Sequence, residues 1–191
     1  MKYIISIFVL FYFTSCDIFE TREAESPNQS RSNYQPAVSP ETLVQNLINS
    51  FADKDVVSYQ NSFVTGLSNK EFSFIPSSSA SLRFQSIWET WDVDSEVAYF
   101  NNMKSSVPPE LPISLSLSLL PESFSRFGDS LKYTSEYSIG VPQLNGESLI
   151  YQGNLEISMI NANTIWMIYY WKDNAIEDQQ SWSDLKGISY Y

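Results

Sequence analysis

No histidine occurs anywhere in the 191 residues, so any catalysis by this chain falls to carboxylates, hydroxyls, lysines or a thiol. That excludes the usual general base near neutral pH, the Ser-His-Asp and Cys-His relays, and most zinc sites. What remains is a carboxylate that burial drives toward neutral pH, set beside a tyrosine or water, which can move protons without histidine. Asp173, Glu136 and Glu156 lie in or beside stretches with strand alternation. Glu136 shares its phase with Lys132, Thr134 and Ser138, and Glu156 with Gln152, Asn154 and Ser158. Both acids therefore read as exposed charges. Asp173 ends an apolar stretch, where capping a turn competes with acid-base chemistry. The acids Asp17, Glu20, Glu23 and Glu25 are dispersed rather than spaced as a calcium loop, so no metal is expected. Neither Gly-x-Gly-x-x-Gly nor the Gly-x-x-x-x-Gly-Lys loop occurs, so no cofactor is expected either. A formal net charge of −11 repels phosphate backbones and argues against nucleic acid as a partner.

The single cysteine, Cys16, cannot close an intramolecular disulfide. It follows Lys2, an apolar stretch from Ile4 to Phe13, and Thr14-Ser15, the layout of a secretory leader. A bilayer-spanning helix needs roughly 20 apolar residues, and this stretch stops near half that length. Phe13, Thr14, Ser15 and Cys16 resemble the lipobox of bacterial lipoproteins, although Phe13 stands where leucine is usual. The resemblance implies cleavage before Cys16, lipid on its thiol, and a membrane as partner. Two acyl chains make such an anchor stable, whereas one is marginal. The expected organisation is a leader over 1–15, a lipidated cysteine and polar tether over 16–38, and one domain over 39–191. The expected place is the bacterial cell envelope, the outer membrane ahead of the inner.

Within the domain, Ser39-Pro40-Glu41 supplies a hydroxyl cap, a proline suited to the first turn and an acid favoured by the helix dipole. Leu43, Val44, Leu47, Ile48 and Phe51 follow at helical spacing, which predicts a helix over 40–52. Asp53 or Asp55 caps a second, shorter one. Glu71 to Ile75 alternates as a strand, and the serines from Ser77 to Ser81 read as a loop. Asp92 or Asp94 caps a further helix through Val97, Phe100 and Met103. From Ile113 the period changes to 2, and strands are predicted over 113–119, 131–141, 149–160 and 164–172. Turn chemistry at Asn145-Gly146 and Asn161-Ala162-Asn163 makes them an antiparallel meander. Trp88, Trp91, Trp166 and Trp171 fall within amphipathic patterns and read as core, ahead of sugar-stacking platforms. Trp182 sits in a polar tail and reads as a latch, followed by one helical turn stopped at Gly187.

Helices first and a curved antiparallel sheet afterwards make an α+β domain with helices packed on one sheet face. The stretch Ser39 to Leu47 with Phe51 to Asp55, and the closing Trp166-Met167-Ile168-Tyr169-Tyr170-Trp171-Lys172-Asp173, resemble the NTF2-like superfamily, the cystatin-like α+β cone. Cys16 to Arg22, Gln29 to Tyr34 and Ser181 to Gly187 also resemble a group of uncharacterised bacterial lipoproteins. The cone implies a cavity between sheet and helices, with Tyr169, Trp171 and Asp173 as its pocket residues. The expected function is binding of a small ligand or protein partner without catalysis. The rivals are a histidine-free cavity enzyme of isomerase or dehydratase type using a buried carboxylate, and a glycan-binding envelope module.

Overall fold

The computed structural model describes residues 33–190 apart from 65 and 67. The leader, the lipobox and Cys16 lie outside the described residues, as does the tether up to residue 32. The end of the expected tether is part of the fold. Ala37 is buried and its carbonyl accepts from Trp166 N at 2.8 Å, while Gln35 and the buried Asn46 side chain bond each other.

Helix α1 (Pro40–Asp53) starts where Ser39 Oγ accepts from Thr42 N, with proline in the first turn, and buries Leu43, Val44, Leu47 and Phe51. It ends because Lys54 turns left-handed, at φ 52°. The Lys54 ammonium then donates to the carbonyls of Pro108, Pro109 and Leu111 at 2.8–2.9 Å, holding the proline loop to the helical corner. Asp55 is the cap of α2 (Val56–Gln60), accepting from Val57 N and Ser58 N. Strand β1 (Ser73–Ile75) follows. The serine stretch is helical rather than a loop: Ser77 Oγ accepts from Ala80 N and starts α3 (Ser78–Arg83), which leads into α4 (Gln85–Trp88). Serines favour turns and N-caps for the same reason, a side-chain oxygen aimed at nearby N–H groups. Asp92 caps α5 (Val93–Ser105) through Ser95 N.

The sheet comprises β1, β2 (Ser114–Leu117), β3 (Phe124–Phe127), β4 (Ser130–Pro142), β5 (Ser148–Ala162) and β6 (Ile165–Ala175), in the order β1-β6-β5-β4-β2 with β3 also on β4. The meander β4-β5-β6 is antiparallel as expected, but β1 joins the edge of β6 in parallel. Strand β3 carries no clean alternation and was not expected. A register shift between Ser158 and Met159 leaves Tyr169 without a partner in the ladder. Such a bulge bends a strand and re-aims its side chains. The last element is α6 (Trp182–Ser189), with a capping box formed by Ser181 and Asp184. It does not stop at Gly187. A Cβ there would lie 2.3 Å from Phe84 Cδ2, so the glycine admits the Phe84 ring against the helix.

The core lies between the curved sheet and the helices. Trp171, Trp182, Tyr59, Phe63, Phe51 and Phe100 are fully enclosed. Trp182 meets Trp171 at 4.5 Å and Phe51 at 5.4 Å, both edge to face, the geometry that aromatic quadrupoles favour.

Candidate functional site

The interior of the cone is occupied by two polar arrangements that α6 completes. Helix α5 turns Glu96 inward, where its side chain is fully enclosed. Glu96 Oε2 accepts from the Tyr59 hydroxyl at 2.7 Å, and Oε1 accepts from Trp91 Nε1 at 2.7 Å and from the Lys186 ammonium. That ammonium, equally enclosed, lies 3.8 Å from the centre of the Phe74 ring and 4.2 Å from that of Trp171. Burial pushes Lys186 below the ordinary lysine range, and the Glu96 charge pulls it part of the way back. Burial raises the Tyr59 hydroxyl well above its ordinary value, and the adjacent Glu96 carboxylate adds to the rise. Tyr99, which accepts from Trp182 Nε1 at 2.9 Å, is raised for the same two reasons.

The second arrangement surrounds Asp173 at the end of β6. Its Oδ1 accepts from the Tyr137 hydroxyl at 2.6 Å, and its Oδ2 from Ser183 N at 2.8 Å and Ser183 Oγ at 2.5 Å. The Tyr137 oxygen in turn accepts from Trp182 N at 2.7 Å. Asp173 and Tyr137 thereby satisfy two of the orphan N–H groups in the first turn of α6. Gly153 makes room for this: a Cβ there would lie 2.4 Å from the Tyr137 hydroxyl. Desolvation and the Asp173 charge push Tyr137 far above its ordinary range.

The expected trio is therefore split. Trp171 and Asp173 face the interior, where Trp171 packs as core and its Nε1 has no hydrogen-bond partner. Tyr169 is the unpaired residue of the bulge and lies on the other face. Its hydroxyl bonds Ser130 Oγ at 3.1 Å, and Lys70 Nζ stands 5.3 Å from its ring centre. It borders a separate hollow of about 280 Å³ with Phe127 and Lys132. Glu136 is exposed, and Glu156 pairs with Lys132 at 2.6 Å on the outer face.

An open cleft of about 700 Å³ lies outside the core, bounded by α3, the end of β1, the segment 174–180 and the first turn of α6. Ile75, Pro76 and Ile176 form apolar walls, and Arg83, Lys172 and Asp184 bring charge to it. Asp184 has a nearly enclosed side chain, 2% exposed, whose Oδ2 accepts from Ser181 N at 2.9 Å as part of the capping box. Its Oδ1 lies 3.0 Å from Arg83 Nη1, yet no N–H is aligned to make a hydrogen bond with it. The Arg83 side chain is 51% exposed. A carboxylate at such a wall can hold a ligand by charge and hydrogen bonds. Among the described residues, no cluster of three or more metal-ligating side chains is present, and no helix is long and apolar enough to cross a membrane.

Solved structures share this arrangement of helices on a bent, unclosed sheet. A protein from Novosphingobium aromaticivorans, named provisionally as an aromatic ring hydroxylase, is 10% identical with a TM-score of 0.54, covering 75% of this chain and 91% of its own. A conserved protein from Planctomyces limnophilus is 9% identical with a TM-score of 0.53, over 71% of this chain and 91% of its own. The fold is the expected α+β cone. An NTF2-like superfamily protein from Salmonella enterica is 15% identical, with a TM-score of 0.47 over 70% of this chain and 85% of its own. No family model matches the chain, and no curated protein matches it. At these identities the likeness concerns the cone alone.

Sequence reasoning missed Glu96, Lys186, Arg83 and Asp184. The Ser181-x-x-Asp184 spacing, which forms a capping box, is a local signal for the start of α6 that the reading of a single helical turn did not use. Nothing local marks the other three, whose partners are supplied by distant parts of the chain.

Proposed function

We propose that the chain is a lipid-anchored lipoprotein of the bacterial cell envelope whose cone domain binds a small ligand or protein partner in the open cleft, without catalysis. The observation that carries the binding half is where space lies. The cone interior is taken by Trp182 and Lys186 of the chain's own α6, whereas the cleft at 75–83 and 174–184 is open and bears charged and apolar walls. A cavity enzyme needs a carboxylate that a substrate can reach. Asp173 does stand beside a tyrosine, but both its oxygens are engaged by Tyr137 and the first turn of α6. The anchoring half rests on the lipobox and the solitary Cys16, with residues 16–32 as the tether.

Two experiments test the two halves. Replacement Cys16→Ala leaves an uncleaved or soluble chain; a cleaved variant that still fractionates with membranes like the parent overturns lipidation. A fragment screen of amines, carboxylates, sugars and short peptides on the full chain, read by amide chemical shifts, tests the cleft. Ligands moving Ser79, Asn174 and Gln179 together support it, and a screen in which none does overturns it.

A further inference from the structure

Resting on the cleft as the binding site, its chemistry indicates what it takes. Four carboxylates border it, Asp173, Glu177, Asp178 and Asp184, against the two cations Arg83 and Lys172. Asp173 is spent on Tyr137 and Ser183. Lys172 stands across the ladder from Glu156, whose carboxylate is already paired with Lys132, so Lys172 is set against Glu177 and Asp178 at the cleft. Asp184 differs from the other acids in being enclosed with one oxygen lacking any hydrogen bond. An ionised carboxylate only accepts, and a buried acceptor left unmade is costly. The occupant that satisfies Asp184 Oδ1 is therefore an N–H donor, and a cation does so best.

Arg83 meets Asp184 Oδ1 as an ion pair at 3.0 Å but without an aligned hydrogen bond. It comes from the short helix α3, keeps half its side chain in water, and approaches Oδ1 without a bonding alignment. We propose that the cleft binds a small organic cation with an aliphatic stem, an alkylammonium or alkylguanidinium, whose N–H groups bond Asp184 Oδ1 after Arg83 swings into solvent. The stem lies on Ile75, Pro76 and Ile176, of which Ile75 and Ile176 are each 41% exposed. An anion would gain Arg83 and Lys172 but face Glu177, Asp178 and Asp184. The balance of charge selects against it.

The test titrates agmatine, which carries both an ammonium and a guanidinium on an alkyl stem, into the full chain, with glutarate as the anionic probe. Agmatine is expected to saturate the cleft amides. Arg83→Gln removes the internal competitor and tightens agmatine up to about fivefold, the most that an ion pair of this exposure withholds. Asp184→Asn keeps an oxygen for the Ser181 cap but presents an amide donor toward the cleft, and agmatine binding is lost. Thermal melts establish that Asp184→Asn folds; if it does not, Arg83→Gln alone decides. Arg83→Gln that weakens agmatine binding, or that reveals none, overturns the cation assignment. Glutarate binding that Arg83→Gln abolishes also overturns it, yet leaves the cleft standing as a binding site. If the cleft amides respond to neither these probes nor any ligand of the broader screen, the binding reading falls with it.

Discussion

Replacing Lys186 by methionine should be among the most damaging single changes in the domain, and a second substitution should repair it. Lys186 and Glu96 are both fully enclosed. Removing the ammonium leaves the Glu96 carboxylate with Tyr59 and Trp91 as donors but with no countercharge. Breaking a buried pair from one side costs about 3–5 kcal/mol. The lost contacts of the ammonium with Phe74 and Trp171 contribute about 0.5–2 kcal/mol of this kind of attraction. Against a domain stability of about 5–15 kcal/mol, Lys186→Met should remove a fifth or more. Glu96→Gln strands the ammonium and should cost about as much. The double variant strands no charge: methionine fills the aromatic box and the glutamine oxygen still accepts from Trp91 Nε1 or Tyr59. Replacing a whole buried pair by neutral groups is often neutral or stabilising by about 1–4 kcal/mol. Urea unfolding at pH 7, followed by the fluorescence of Trp91, Trp171 and Trp182, measures all four corners of the cycle. The reasoning is refuted if the two single costs simply add in the double variant, or if Lys186→Met unfolds within about 1 kcal/mol of the parent, well short of the cost of breaking a buried pair.

Two further outcomes are expected. Gly187→Ala, a change that gains up to about 1 kcal/mol inside an ordinary helix, should instead destabilise by about 1–3 kcal/mol through overpacking, because its Cβ would meet the Phe84 ring; denaturant midpoints with and without Phe84→Leu check this, and the second change should relieve it. Stability should also fall on the alkaline side. Tyr59, Tyr99 and Tyr137 are all held above the ordinary tyrosine value of 10.0, so the folded state keeps protons that the unfolded chain releases. Their stabilisation is complete below pH 10 and is lost as the pH rises beyond it, each contributing about 1.4 kcal/mol per pH unit. Lys186, held below its ordinary value of 10.5, runs the other way as the pH approaches that value and adds nothing beyond it, where the tyrosine loss continues. A urea midpoint that is unchanged or higher at pH 11 than at pH 9 contradicts this.

Much of the fold is legible locally because its signals are local. Ser39-Pro40-Glu41 starts α1, the Asn145-Gly146 turn joins β4 to β5, and the phase of Glu136 and Glu156 correctly puts them on the outer face. The errors occur where one residue type serves two structures, or where the partner is distant. Ser77 to Ser81 suit a loop and a helix cap equally, and only the packing of α3 against α6 decides. Tyr169-Tyr170 gives no hint of the bulge that turns Tyr169 away from Trp171 and Asp173. The tail from Ser181 to Gly187 reads as a latch through Trp182 with one helical turn, and its polar sequence does not reveal that Ser183, Asp184 and Lys186 are buried as well. Glu96 lies in the first turn of α5, where nothing in the local sequence marks it as buried. Its partner Lys186 follows ninety residues later, and no periodicity links them. The cleft is equally illegible, because Arg83 and Asp184 meet only once α3 and α6 have both been placed.

The position of α6 at the end of the described chain also orders events in time. Every strand among the described residues is synthesised before Trp182 and Lys186 exist, and until they arrive Glu96 lacks the Lys186 countercharge and the aromatic interior lacks Trp182. A nascent chain lacking those residues cannot complete its core. If the chain crosses a membrane as an unfolded thread, as the proposed leader implies, closure of the domain waits until α6 has followed the strands across.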